Sequence, residues 1–198
     1  MRIVAVVLAA GEGRRVGGPK ALLRAGGQSF LARGCALLAR PGVDEVVAVL
    51  GHQAGRVQAE AGLPSAVACV VNEDYRQTGM LGSVHRGLDA AAARHADAVL
   101  LHPVDHPLTA AATVDAVVAA LRAGARIAVP SVEGRRGHPG GFAAAAWPAL
   151  RAAPPSEGAR AVLAAHPDWV VHVPGDPGCR RGIDTPADYE RWIGPMLR

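Results

Sequence analysis

The chain has 198 residues, 50% of them hydrophobic and 19% charged, with 21 Lys+Arg against 17 Asp+Glu for a net charge of +4. At about 150 residues per domain this is the size of one domain spanning 1–198, able to bury a core and too apolar for a disordered chain. No apolar run reaches the roughly 18 residues of a spanning helix, and dispersed arginines with 4% aromatics are unsuited to nucleic acid, so neither a membrane nor a nucleic acid is an expected partner.

Arg2 followed by Ile3–Ala10 imitates a short secretory signal. A buried strand over Ile3–Leu8, running into a basic glycine-rich loop, accounts for both halves of the segment. Cys35, Cys69 and Cys179 are odd in number and far apart, which suits a reducing compartment, and a cytoplasmic location is expected. Ser29 can cap a helix carrying Phe30, Leu31, Leu37 and Leu38, stopped by Pro41-Gly42. Val46–Leu50 and Val67–Val71 read as strands, with a short Ala/Gln/Arg helix between them that ends near Gly62.

A third helix is expected over Ser83–Arg94 and a strand over Ala98–Leu101. Thr109 or Thr113 caps the next helix, which carries Val114, Val117, Val118 and Leu121 and ends near Gly124. Ile127–Val129 and Val170–Val173 read as further strands, and Pro186 suits the first position of a final helix. Between those strands a Gly/Arg-rich stretch, Glu133–Gly141, interrupts the alternation. Strand–helix alternation without a repeat or linker predicts an α/β three-layer sandwich with a mostly parallel, Rossmann-like sheet. Its ligand is expected at the C-terminal ends of the strands.

The loop after the first strand is Leu8-Ala9-Ala10-Gly11-Glu12-Gly13-Arg14-Arg15-Val16-Gly17-Gly18-Pro19-Lys20. As a dinucleotide fingerprint it lacks the third glycine, and Gly51-His52 after the next strand supplies no acid for a ribose. As a P-loop it lacks the hydroxyl after Lys20, where Ala21 stands. Two readings stay open: a mobile surface loop, and a triphosphate cradle in which small residues admit the nucleotide while Arg15 and Lys20 neutralise its charge. Lys20 is the sole lysine of the chain, the other basic residues all being arginine, so a compact ammonium has been kept at that one place.

The pattern Leu8-Ala9-Ala10-Gly11-x-x-x-Arg15-Val16-Gly17-x-x-Lys20 resembles the signature of the MobA-like nucleotidyltransferases, and within them is most similar to the molybdenum cofactor cytidylyltransferases. Val16 stands where that family usually has Met, and Gly13 where Ser is common; neither change removes a charge. Gly79-Met80-x-x-Ser83 resembles the family's base- and ribose-binding segment, and Pro103-Val104-Asp105-His106-Pro107 its metal-binding strand end. Gly137-His138-Pro139 matches its acceptor-side loop, and Ile183-Asp184-Thr185-Pro186-x-Asp188-Tyr189 its second metal-binding segment.

The resemblance implies nucleotide binding by Leu8, Ala9, Ala10, Gly11, Arg15, Lys20, Gly79, Ser83 and Asp105, with Lys20, Arg15 and Asp105 as the catalytic set. It implies that Asp105 and Asp184 converge on Mg²⁺, a hard cation served by a few carboxylates and substrate phosphates, and that His138 and Pro139 meet the acceptor. Read without the resemblance, Asp184 is an N-cap of the final helix, His138 and Pro139 belong to a surface hairpin, and His102, Asp105 and His106 suggest a transition-metal site. Arg135 and Arg136 are available to an acceptor phosphate, and Cys179 beside Arg180 and Arg181 is either a thiol of lowered pKa or an incidental loop residue.

The implied reaction is attack of a phosphorylated acceptor on the α-phosphorus of a nucleoside triphosphate, with release of pyrophosphate. In the family it resembles, an Ala at the position of Ala10 goes with pyrimidine nucleotides and a Gly leaves room for a larger base, so the resemblance implies CTP rather than GTP; molybdopterin is the implied acceptor, and a molybdoenzyme or its chaperone the implied protein partner. Two alternatives remain: a sugar phosphate or other phosphorylated metabolite as acceptor, and a nucleotide-binding accessory protein without turnover.

Overall fold

The structure, a computed structural model, describes residues 1–195, and the last three residues of the expected domain lie outside the described residues. In chain order the elements are β1 (Ile3–Ala9), β2 (Arg24–Ala25), β3 (Gln28–Ser29), α1 (Phe30–Leu38), β4 (Glu45–Leu50) and α2 (Ala54–Glu60). There follow β5 (Ala68–Val71), α3 (Tyr75–Ala92), β6 (Ala98–Pro103), α4 (Ala111–Arg122), β7 (Ile127–Val132), β8 (Arg135–Arg136) and β9 (Gly140–Ala143). α5 (Trp147–Ala152), α6 (Ala159–Ala165), β10 (Val170–Pro174) and α7 (Pro186–Trp192) complete the chain.

One sheet runs in the order β10-β7-β9-β6-β1-β4-β5, with β8 paired to β7, while β2 and β3 form a separate ribbon. β1 is parallel to both β4 and β6, and with helices packed on both faces of the sheet all seven of its residues are buried. That explains the unbroken aliphatic run. Its two-residue period divides the core: Ile3, Ala5 and Val7 pack with α1 and α4, whereas Val4, Val6 and Leu8 pack with α3 and α5. The expected three-layer α/β sandwich with a mostly parallel sheet is therefore what the chain forms.

Ser29 caps α1 as expected, its hydroxyl oxygen accepting from Ala32 N at 3.0 Å; it also donates to Ala61 O at 2.6 Å, which ties α1 to the end of α2. Other expectations are corrected. α3 begins at Tyr75, eight residues before the expected start at Ser83. α4 has Ala110 at its N-cap with no side-chain cap; Thr109 stands outside the helix and Thr113 inside its first turn. The Gly/Arg-rich stretch does interrupt the strand–helix alternation as expected, by forming β8 and then entering β9, an antiparallel strand between β6 and β7. Gly141 reads as a turn residue, yet it is a strand residue because Val117 and Leu121 of α4 fill the space where its side chain would stand; a Cβ there would lie 2.7 Å from Val117 Cγ1.

The hydroxyl of Thr113 serves a tertiary purpose. It donates to Asp176 Oδ2 at 2.7 Å, while the Ala110 amide reaches the same oxygen at 2.9 Å and the Gly178 amide reaches Oδ1 at 2.6 Å. Burial opposes ionisation of Asp176, but these donors outweigh it and hold the carboxyl below its usual range. A depressed folded-state value stabilises the fold at neutral pH, and that contribution disappears as pH falls from about 4 through the lower folded value. Asp176→Asn is accordingly expected to cost about 2 kcal/mol at pH 7 and progressively less in acid, checked by urea unfolding of both proteins at pH 7 and pH 3.

Candidate active site

The parallel core strands end on one side of the sheet, and the glycine loop lies there. Beyond β1, Ala10 is buried and accepts from His52 N at 3.0 Å. The amides of Val16 and Gly18 both donate to Gly13 O, at 3.0 and 3.2 Å, closing the loop on itself. A short turn, Lys20–Leu22, then packs Ala21 into the core and leaves Lys20 at its start. The loop is closed by its own amides and anchored at both ends.

Two further segments are brought to the same place by backbone hydrogen bonds. Val104 N donates to Leu8 O at 3.1 Å, which sets Asp105 beside the loop, and Ile183 N donates to Asp105 O at 2.8 Å, which sets Asp184 beside both. Ile183 is fully buried and pins this contact. Thr185, not Asp184, is the N-cap of α7: its hydroxyl accepts from Asp188 N at 3.1 Å and Asp188 Oδ2 accepts from Thr185 N at 2.8 Å, a reciprocal capping box. The N-cap reading of Asp184 is thereby corrected, and its carboxylate is free to face the cleft.

At the centre Lys20 Nζ donates to Asp105 Oδ2 at 2.8 Å and to Asp184 Oδ1 at 2.6 Å, and Arg15 donates to the same Asp184 oxygen at 2.9 Å. One ammonium touching both carboxylates places their oxygens within a few ångströms of each other. The Lys20 side chain is only 15% exposed, so its charge acts with little solvent screening. Asp105 is also partly buried, which resists ionisation; His106, whose Nδ1 lies 2.9 Å from Oδ1, and Lys20 outweigh this and hold the carboxyl well below its usual range.

Histidines stand behind Asp105. His106 meets His138 edge to face with ring centres 4.6 Å apart. Burial, with the neighbouring His106, pushes His138 down to about 3, so it is neutral. His138 and Pro139 follow Gly137 on the connection into β9, and His138 N donates to Cys179 O at 2.9 Å; neither residue is among those lining the cleft. His102 is fully buried at the end of β6, and burial pushes it down to about 3 as well. Among the described residues no group of three or more His, Cys, Asp or Glu side chains is arranged to hold a metal. Two carboxylates without a nitrogen or sulfur partner suit a hard divalent cation completing its shell with water and phosphate, rather than zinc. Cys179 is buried and its thiol is pushed up from its ordinary value by that burial, the incidental reading of the two.

The cleft has two connected lobes that share Leu8, Gly11, Gly13, Arg14 and Met80. One, of about 310 Å³, holds Arg15, Lys20, Asp105 and Asp184. The other, of about 400 Å³, is walled by Ala10, Glu12, Tyr75, Arg76, Gly79 and Ser83. Gly79 interrupts α3 with φ 58° and ψ −149°, a backbone conformation that only glycine adopts readily, and so swings the first turn with Tyr75 and Arg76 over the cleft. Ser83 is buried and its hydroxyl accepts from Asn72 Nδ2 at 3.2 Å. The predicted Leu8, Ala10, Gly11, Arg15, Lys20, Gly79, Ser83, Asp105 and Asp184 thus surround one cleft, and Ala9 lines its smaller lobe. Glu12, Tyr75 and Arg76 were not singled out, because their importance comes from contacts between distant segments that no local pattern marks.

An open α/β sheet with a basic glycine loop and paired carboxylates across its strand ends is the arrangement of the nucleotidyltransferase fold, and solved structures agree. Rv0371c from Mycobacterium tuberculosis H37Rv aligns with a TM-score of 0.82 at 26% identity, covering 98% of each chain. Its manganese complex aligns with a TM-score of 0.77 at 26% identity, again covering 98% of each chain. The chain belongs to the MobA-like NTP transferase domain family, whose pattern matches residues 5–170. Among curated relatives, nicotine blue oxidoreductase from Paenarthrobacter nicotinovorans is 36% identical over 177 residues, covering 85% of this chain and 84% of that one. The 2-C-methyl-D-erythritol 4-phosphate cytidylyltransferase of Deinococcus radiodurans is 39% identical over 132 residues, covering 65% of this chain and about half of the enzyme, 51%. Among the described residues no helix is long and apolar enough to cross a membrane.

Proposed function

We propose that this protein transfers a nucleoside monophosphate, CMP from CTP, to a phosphorylated acceptor, molybdopterin foremost, with release of pyrophosphate. The observation that carries the reading is the single ammonium of Lys20 set between Asp105 and Asp184 at the mouth of a loop that also presents Arg15. Phosphoryl transfer of this kind needs positioning and charge neutralisation more than covalent participation by the protein. An acceptor phosphate oxygen forms the new bond to the α-phosphorus, and the bond from that phosphorus to the α–β bridging oxygen breaks, its electron pair leaving with pyrophosphate.

Asp105 and Asp184 would hold Mg²⁺ or Mn²⁺, which supplies Lewis-acid neutralisation of the phosphates; a structural neighbour solved with manganese supports a divalent ion of this class. Lys20, whose ammonium touches both carboxylates, would neutralise the triphosphate beside them, while Arg15 would retain the departing pyrophosphate. A phosphate acceptor is already largely ionised near neutral pH, its second pKa being about 6, so no general base is required. This agrees with a cleft whose nearest imidazoles are partnered with Asp105 or buried behind it. His138 would enter this scheme through its contact with His106 rather than by lining the cleft.

Likeness to a methylerythritol phosphate cytidylyltransferase favours a second reading, in which the acceptor is a smaller polyol or sugar phosphate. Another relative is named an oxidoreductase, and for that class a dinucleotide site fits less well: Leu50 at the end of β4 is followed by Gly51 and His52, neither of which is an acid for a ribose. Pyrophosphate release is to be measured with each nucleoside triphosphate, Mg²⁺ or Mn²⁺, and either molybdopterin or a set of sugar phosphates. Release with CTP and molybdopterin is expected. Turnover with sugar phosphates alone would replace the acceptor, and none with any acceptor would leave a nucleotide-binding accessory protein.

A further inference from the structure

The larger lobe of the cleft contains a feature that polyphosphate chemistry does not use. Glu12, on the glycine loop, accepts from Arg14 Nε at Oε2 and from Arg76 Nε at Oε1, the latter at 2.6 Å. The Glu12 side chain is 15% exposed, against 81% for Arg14 and 63% for Arg76. The carboxylate is thus turned into the protein and the guanidinium groups outward. Arg76 reaches it only because Gly79 bends the first turn of α3 over the cleft. Beside it, Tyr75 Oη lies 3.0 Å from His52 Nδ1, and His52 N donates to Ala10 O. Glu12 and Ala10 are therefore held in one bracket around one lobe.

Ala10 can select by size, which separates a pyrimidine from a purine but cannot separate cytosine from uracil. Those two rings differ in polarity at one edge: cytosine carries an amino group that donates, uracil a carbonyl that accepts. An ionised carboxylate only accepts, so it welcomes the first and repels the second. We infer that Glu12, oriented by Arg14 and Arg76, reads the exocyclic amino group of the base and makes the cleft selective for cytosine over uracil. The inference rests on the reading of this cleft as a nucleoside triphosphate site. Hydrogen bonds from Arg14 and Arg76 hold the carboxyl down at about 2, so it carries its charge at any physiological pH. Each arginine occupies one acceptor position on one oxygen, and each oxygen has a second position to offer.

The test is a binding measurement, independent of turnover. Calorimetric Kd values for CTP, UTP and the CTP analogue lacking the 4-amino group are compared for the wild type and Glu12→Gln in the same Mg²⁺ buffer. A base contact of this kind discriminates about 5- to 150-fold, so the wild type is expected to prefer CTP over UTP by at least about fivefold and to lose most of that margin with the deamino analogue. Glu12→Gln, whose amide both donates and accepts, should bring CTP and UTP to within about threefold of each other. The analogue uses unmodified protein, so a folding defect in the variant cannot produce the result. Equal wild-type affinity for CTP, UTP and the analogue, an undiminished preference in Glu12→Gln, or equal weakening of CTP and UTP would each overturn the inference. Selective CTP binding without pyrophosphate release would sink the transferase reading while the base assignment stands, and a wild type that binds no nucleotide would overturn both.

Discussion

Lys20→Ala is expected to lower kcat for pyrophosphate release about 10²–10³-fold, the usual cost of removing one preorganised group that stabilises transition-state charge. The ammonium sits 2.8 Å from Asp105 and 2.6 Å from Asp184, where the triphosphate would lie against it, and no other lysine exists to replace it. The effect on folding is expected to be small, a Tm change of a few degrees, because Arg15 still meets Asp184 and His106 still meets Asp105 once Lys20 is gone. Lys20→Arg should not restore the rate: a planar guanidinium cannot occupy the gap between two carboxylates as a compact ammonium does. Steady-state kinetics with thermal melts of both variants decide the matter. Full turnover by Lys20→Ala would reject its assigned role.

The second large effect is expected from Asp105→Asn. The substitution keeps the shape of the side chain and the backbone contact from Ile183, but it removes the charge that Lys20 and His106 maintain. Asparagine also presents a donor where the native carboxylate has only acceptors, so one of its two partners is lost. Affinity for Mn²⁺, followed by electron paramagnetic resonance, is expected to fall at least about tenfold, and kcat/KM about 10³-fold or more, both the ion and its ligand charge being lost to the reacting phosphates. Restoration of the rate at high Mn²⁺ would show that Asp105 acts through the metal. A variant with wild-type Mn²⁺ affinity would remove Asp105 from the metal site.

Much of the frame is legible in the chain because burial and backbone conformation leave local traces. Ile3–Leu8 is aliphatic throughout since helices cover both faces of its strand, Ser29 precedes Ala32 at the spacing of a cap, and Pro186 begins α7. The glycine loop is legible for the same reason: small residues and fixed charges recur at offsets along one segment. Signals failed where a neighbour distant in sequence changed the meaning of a residue. Gly141 belongs to a stretch that reads as a surface hairpin until α4 lies across it, Thr113 reads as a cap until Asp176 takes its hydroxyl, and Gly79 lies before the expected helix start although it is a bend inside α3.

The amino-acid sequence by itself determined the layered α/β architecture, the basic glycine loop and the identity of the charged groups, because each depends on periodicity, composition or short spacing. Only the tertiary structure decided that Asp105 and Asp184 share one ammonium, that His138 stands behind His106 outside the cleft lining, and that Arg14 and Arg76 close on Glu12. Those meetings are set by strand register and by a few backbone hydrogen bonds, Val104 to Leu8 and Ile183 to Asp105, between segments far apart along the chain. Such contacts exist only after the sheet has assembled, which is why no run of adjacent residues announces them.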